Sequence, residues 1–475
     1  MLIEVIDDAT RRHGDRPAVS DRQTTLTYRE LIRSSAVWAD TLAGLLPGGD
    51  RGRIGIRAGN GVAYVVAYLA ALRCGAVPFL IDRVSGVQET AAIREDCGLD
   101  LLVHDSPAPG WGTPRGELGT LTVTGAPSAG RAALDPQTEV CRFTSGSTGR
   151  PHCIEFRGQA VHRAAVNWAT GTGLDADDSI ACFASLSNGL AFNTSLLSAF
   201  LVGARLHLPN GLPSGSAVGR AVAACAATRL VGFPALYDSL VRRPVTDGSF
   251  SRLRMAISSA APLDPGTKHR FVEATGVPLR NYFGAAEAGP LTFATDPLTD
   301  LGLGGPLPGV LLRAGTRANP GPVEVRSESM GTRYLNAPGL LESRMTDDGH
   351  YRTGDRGYLA DGSLFLSGRS HRVINVGGRK IDATEVVEAL RAAAGVRDAV
   401  VLQVLDRHGV PALAAVLAAD DSLDPSGPRR FLAGRLAPYK IPSLVRVVPE
   451  IPRGSAGKPA MAALEGLFAV DRTDG

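Results

Sequence analysis

Alternation of short apolar runs with helix-patterned segments is the feature that most restricts how this chain can fold. Arg53-Ile54-Gly55-Ile56 reads as a buried strand, residues 62–72 as a helix, and Gly75-Ala76-Val77-Pro78-Phe79-Leu80 as the next strand. The rhythm returns at Leu101-Leu102-Val103, Leu206-His207-Leu208, Leu230-Val231-Gly232-Phe233 and Arg254-Met255-Ala256-Ile257, and Leu26-Thr27-Tyr28-Arg29-Glu30-Leu31 opens a further helix. Continuously apolar strands joined through helices predict α/β layers on largely parallel sheets, because crossover helices cover both faces of such strands.

At 475 residues the chain exceeds the roughly 250–300 residues at which a single core stops growing, so at least two domains are expected. Between 302 and 325 the texture changes to glycine, proline and short β-runs, which predicts a small β-rich subdomain. The remaining C-terminal stretch reads β-loop-α-β-β-α, with helices over 385–393 and 429–436. Ser367-Gly368-Arg369-Ser370-His371 suits a hinge, giving an N-terminal domain 1–370 and a C-terminal domain 371–475.

Several function classes are disfavoured. No uninterrupted apolar stretch approaches the ~20 residues needed to cross a bilayer, and Met1-Leu2-Ile3-Glu4-Val5-Ile6-Asp7-Asp8 puts acids where a secretory signal needs a basic region. The six cysteines form no CxxC pair, which argues against a zinc module or a disulfide framework and for reduced cytoplasm. A net charge of +3 without basic runs gives no footprint for nucleic acid. Only Lys268, Lys380, Lys440 and Lys458 are lysines among fifty basic residues. Where arginine dominates so heavily, each lysine is a candidate for a task needing a compact point charge.

The strongest local signal is Phe143-Thr144-Ser145-Gly146-Ser147-Thr148-Gly149-Arg150-Pro151, directly after a strand-like stretch. Clustered hydroxyls donate to phosphate oxygens, and glycines let backbone N–H groups face an anion. The segment lacks the GxxxxGK[ST] pattern of P-loop NTPases, as does Gly454-Ser455-Ala456-Gly457-Lys458-Pro459.

With this loop the chain resembles the adenylate-forming superfamily of acyl-CoA synthetases, peptide-synthetase adenylation domains and luciferases. Tyr282-Phe283-Gly284-Ala285-Ala286-Glu287, Tyr351-Arg352-Thr353-Gly354-Asp355, Gly368-Arg369 running into Ile374-Asn375-Val376-Gly377-Gly378-Arg379-Lys380, and Gly457-Lys458 extend the resemblance over essentially the whole chain. It implies a large N-terminal domain of layered α/β subdomains with a small β-rich subdomain, hinged at His371 to a small α+β C-terminal domain. It further implies that ATP is held by Thr144 to Gly149, by Ser259, Ala260 and Ala261 beside the adenine, and by Tyr282, Phe283, Gly284 and Ala286. Asp355 would accept the ribose hydroxyls, Arg369 would contact ribose or α-phosphate, and Glu287 would hold Mg²⁺. Lys458 would stabilise charge as a carboxylate attacks the α-phosphate. One like-charge contact at 4 Å costs about 4 kcal/mol at an effective dielectric of about 20, so cations there are needed. Gly377 and Gly378 would line the path of a pantetheine arm, from coenzyme A or from an acyl carrier protein, whose thiol takes the acyl group.

Four positions depart from the family pattern: His152 replaces a lysine near the phosphates, Ala286 a threonine, Asn188 the usual aromatic or histidine gate, and His371 the hinge acid or lysine. A lost contact of this kind costs roughly 1–3 kcal/mol if buried and uncompensated. The segment 179–212 holds no acidic residue, which disfavours a free α-amino acid. An uncharged pocket around Asn188, Phe192, Asn193, Ser258, Ala261 and Gly284 suits a small aryl or acyl monoacid. Adenylation of nitrite for diazotisation, and a nucleotide-binding pseudoenzyme with a scaffold role, are the alternatives.

Overall fold

Thr27 ends one element and begins the next. Its side chain accepts the Glu30 N–H, and the Glu30 carboxylate accepts the Thr27 N–H at 2.8 Å. This reciprocal capping box starts the helix Tyr28–Leu45, which buries Tyr28, Leu31, Ser35, Ala39 and Leu42 along one face. The computed structural model describes residues 2–48, 51–125, 131–144, 150–209, 215–242, 248–260, 263–295, 302–369, 373–420, 423–452, 459 and 461–468.

Among these residues the chain forms two compact units, one from 1–83, 94–144 and 153–370, the other from 84–93, 145–152 and 371–475. The first contains a nine-stranded sheet whose central strands, Arg205–His207, Ser179–Cys182, Arg229–Gly232, Met255–Ser258 and Leu279–Ala285, run parallel. Ser179–Cys182 and Arg229–Gly232 are buried at every residue, as expected of strands covered on both faces. Leu279–Ala285 then turns back into Gly289–Phe293 as an antiparallel hairpin. In a second, eight-stranded sheet, Arg53–Arg57 lies parallel to both Val77–Leu80 and Leu101–His104, and Val77–Leu80 in turn to Thr138–Thr144. The β-rich segment is a four-stranded antiparallel sheet of Val310–Arg313, Gly321–Ser327, Tyr351–Ala360 and Ser363–Arg369.

In the second unit the hairpin Val373–Val376/Arg379–Asp382 precedes the helix Ala383–Arg391, and a three-stranded sheet follows. Ile381, Val386, Leu390, Val401, Leu413, Leu417 and Leu432 form its core. Lys440, 2% exposed, sits among them and donates to Glu89 at 2.5 Å and to Glu385 at 2.8 Å. Both C-terminal helices lie two or three residues upstream of the predicted spans. The second, Ser426–Ala433, stops at Gly434, which caps it, because glycine costs about 1 kcal/mol inside a helix.

Candidate active site

The hairpin Leu279–Ala285/Gly289–Phe293 carries most of the YFGAAE motif. Trp168 anchors it from behind, edge-on to Tyr282 at 4.9 Å and to Phe293 at 5.4 Å. Gly284 must be glycine here, since a Cβ would stand 2.9 Å from the Gly289 carbonyl oxygen and 2.5 Å from the Tyr282 hydroxyl. Tyr282 and Phe283 are buried and Ala286 is half-buried.

Glu287 lies at the hairpin turn, 9% exposed. Its Oε1 accepts the Tyr334 hydroxyl at 2.5 Å, and the Arg344 guanidinium stands 3.6 Å away. Arg344 also reaches the Tyr334 and Tyr351 hydroxyls, both at 3.4 Å. Burial, and next the Glu287 charge, push the Tyr334 and Tyr351 hydroxyls far above the ordinary phenol range, so both remain donors. A carboxylate offers about four lone-pair sites, so one held at a single oxygen keeps capacity for a divalent cation. Mg²⁺ asks for one or two carboxylates beside phosphate oxygens and water, and Glu287 fits that demand.

Asp355, 2% exposed, stands on Tyr351–Ala360 opposite Arg369 in the antiparallel register. Gly354 takes φ of 79°, and the Thr353 hydroxyl accepts the Asp355 N–H at 3.1 Å while donating to the Val323 carbonyl. The Thr-Gly pair thus aims the carboxylate.

Ser258 closes the strand Met255–Ser258 at its carboxyl end, the place where open α/β sheets bind ligands. Its hydroxyl is buried and has no hydrogen-bond partner among the described residues. Ser259 donates its N–H to the Gly232 carbonyl, and Ala260 has φ of 73°. Such left-handed backbone at a non-glycine residue costs about 1–3 kcal/mol and concentrates at functional sites.

Asn188 is exposed and spends its side-chain oxygen capping the helix that follows, accepting the Leu190 N–H at 2.9 Å. Phe192 and Asn193 are buried on a π-helical segment, Phe192–Leu197. Thr144 ends the strand Thr138–Thr144 and His152 begins His152–Arg157. Ser145, Gly146, Ser147, Thr148, Gly149, Ala261, His371 and Lys458 lie outside the described residues, as does the Arg369 side chain. In the second unit Gly377 and Gly378, with φ of 59° and 82°, are the two residues linking Val373–Val376 to Arg379–Asp382. Two successive positive φ values are what a type I′ hairpin turn requires.

Sequence reading missed Tyr334, Arg344 and Arg142. The last had a signal: an arginine directly before the segment that opens at Phe143, in a strand whose other charged residue is Glu139. Arg142 is 4% exposed, with its guanidinium carbon 4.2 Å from the Phe156 ring centre and 5.3 Å from that of Phe192. Nη2 donates to the Ala286 carbonyl at 3.3 Å, and burial pulls the group down to about 10.

The chain matches the family described as AMP-binding enzyme over residues 6–332. It is 29% identical to anthranilate–CoA ligase of Pseudomonas aeruginosa, covering 90% of this chain and 89% of that protein. It is 28% identical to mitochondrial malonate–CoA ligase of Mus musculus, covering 94% and 87%. Among solved structures, a malonyl-CoA ligase ternary product complex with methylmalonyl-CoA and AMP bound superposes with a TM-score of 0.80 at 26% identity, covering 92% of this chain and 97% of that one.

Proposed function

Since the chain belongs to the AMP-binding enzyme family, within the adenylate-forming superfamily, we propose that it activates a small aryl or acyl carboxylic acid with ATP and passes the acyl group to a pantetheine thiol. Relatives named for anthranilate, 3-hydroxybenzoate and malonate support a small acid. Coenzyme A is the acceptor favoured by those names. A carrier protein is the second candidate, in keeping with an adenylation–carrier didomain among the structural neighbours.

The observation that carries the reading is Glu287, buried and held by Tyr334 and Arg344 on the same hairpin as Gly284. Mg²⁺, when bound there, would neutralise phosphate charge during attack. Asp355 would fix the ribose. The backbone around Ser258, Ser259 and Ala260, at the carboxyl end of its strand, would admit adenine and acid. Lys458 would bring an ammonium to the α-phosphate, a preorganised electrostatic role that needs no enzyme nucleophile. His152 and Ala286, which replace a lysine and a threonine of the family pattern, would weaken phosphate contacts without removing this machinery.

AMP release and hydroxylamine trapping across aryl, fatty and small acids, with nitrite as a separate arm, test the proposal. Acid-dependent AMP followed by CoA-dependent thioester is the expected result. ATP binding without AMP release from any acid would overturn it, and release with nitrite and an aryl amine alone would reassign the substrate.

A further inference from the structure

A charged group inside a protein is costly unless paired, and among the described residues Arg142 forms no ion pair with a carboxylate. Among the described residues its Nε is buried without a hydrogen-bond acceptor, and its guanidinium donates to the Ala286 carbonyl oxygen alone. Glu287, the acid that acts on it electrostatically, is already engaged by Tyr334 and Arg344. The walls are aromatic, Phe156 and Phe192, and cation–π contact offsets only part of the desolvation.

Other groups near the guanidinium point the same way. A Cβ on Gly189 would lie 2.7 Å from Arg142 Nη1 and 3.7 Å from Asn193 Nδ2, so the lack of a side chain at 189 is what lets the guanidinium lie beside the Asn193 amide. Asn193 is buried and its side-chain amide makes no hydrogen bond to a described residue. Tyr68, edge-on to Phe192 at 5.6 Å, has a buried hydroxyl without a partner. Guanidinium, amide and phenol donors thus stand around Phe192, on the helical segment expected at the acid pocket; the Glu139 charge acts on the Tyr68 hydroxyl, and among the described residues no carboxylate is hydrogen-bonded to these donors.

We propose that Arg142, with Asn193, is the specificity-determining residue of the acid pocket and receives a second anionic oxygen group on the substrate, apart from the carboxyl group that is adenylated. The preferred acids are therefore compact dicarboxylates or anion-bearing aryl acids. This inference rests on the adenylation reading above, and it replaces the uncharged-pocket expectation drawn from 179–212: the charge comes from another strand, upstream of that window.

The test compares kcat/KM for matched pairs, malonate against its monomethyl ester and phthalate against benzoate, in the full-length enzyme by AMP release. Wild type is expected to favour the diacid of at least one pair by about 10- to 100-fold, the worth of a charge-assisted hydrogen bond. Arg142→Met should erase that ratio chiefly through KM, and Arg142→Lys should restore part of it. Gly189→Ala, which crowds Nη1 while leaving the charge in place, should lower the ratio and serves if Arg142→Met does not fold. Equal use of both members of each pair by wild type, or an unchanged ratio in the variants, overturns the inference while leaving the adenylation reading intact. Failure of every acid in the panel defeats both.

Discussion

At residue scale, Tyr334 governs how Glu287 is presented. Tyr334→Phe deletes a hydroxyl bonded to an ionised carboxylate at 2.5 Å, an interaction worth about 1.5–3 kcal/mol. Mn²⁺ affinity in the presence of a non-hydrolysable ATP analogue, read by paramagnetic resonance, should fall about tenfold, and the Mg²⁺ concentration for half-maximal AMP release should rise in step. Unchanged Mn²⁺ binding would remove Tyr334 from the metal's support. His207 makes a separate prediction. It is buried against Ser20, with Nδ1 2.9 Å from the hydroxyl, and burial lowers it from 6.5 to about 4, with Arg205 adding to the fall and Asp21 opposing it. The unfolded chain therefore binds a proton the folded chain refuses between those values. Stability is full above pH 6.5 and declines as pH drops toward 4, by up to about 3 kcal/mol at 1.36 kcal/mol per unit. Urea midpoints from pH 7 to 4 should show this slope, and His207→Asn should flatten it. Glu287 and Asp355 could be picked out in sequence because each ends a recognisable motif. Tyr334 and Arg344 could not, since their meaning arises only when distant strands meet, whereas Arg142 stood out only as a charge beside the phosphate-loop segment.

Within elements, sequence conveyed type better than extent. The parallel strands were legible because burial on both faces leaves uninterrupted apolar runs, whereas Gly377-Gly378 was read only as a passage for a pantetheine arm and not as the hairpin turn it forms. The π-helical segment Phe192–Leu197 was not, since its composition does not distinguish it from an α-helix. The Lys440 triad was equally hidden, its members lying at 89, 385 and 440 in the chain. Lys440→Met should destabilise the second unit by about 3–5 kcal/mol, as removing one partner of a buried ion pair does, seen as a lower urea midpoint. Adding Glu89→Gln and Glu385→Gln should recover much of the loss, and a neutral single variant would contradict this view of the triad. Burial raises Glu385 from 4.5 to about 7, against the pull of Lys440. Its contribution to stability is accordingly full below pH 4.5 and lost as pH rises through 7.

For the whole molecule, the proposal divides the work between two half-reactions. Lys458→Ala should abolish most acid-dependent AMP formation while sparing thioester formation from a synthetic acyl-adenylate; parallel loss of both would refute that division. His371→Pro fixes φ at the proposed hinge and should slow at least one half-reaction in rapid-quench assays, whereas wild-type rates for both would move the pivot elsewhere. The two-unit organisation was legible from length and from the glycine-rich stretch before residue 371. The inclusion of 84–93 in the second unit was not, because nothing in a helix sequence states which body it packs with. The π-helical stretch has a consequence for choosing substitutions along it. Each of its turns bridges i to i+5 instead of i+4, so counting forward from Asn188 and backward from Gly203 with an α-helical period assigns different residues to one face of the segment. A substitution placed by α-helical spacing from Asn188 will therefore land one position away from the face it was meant for.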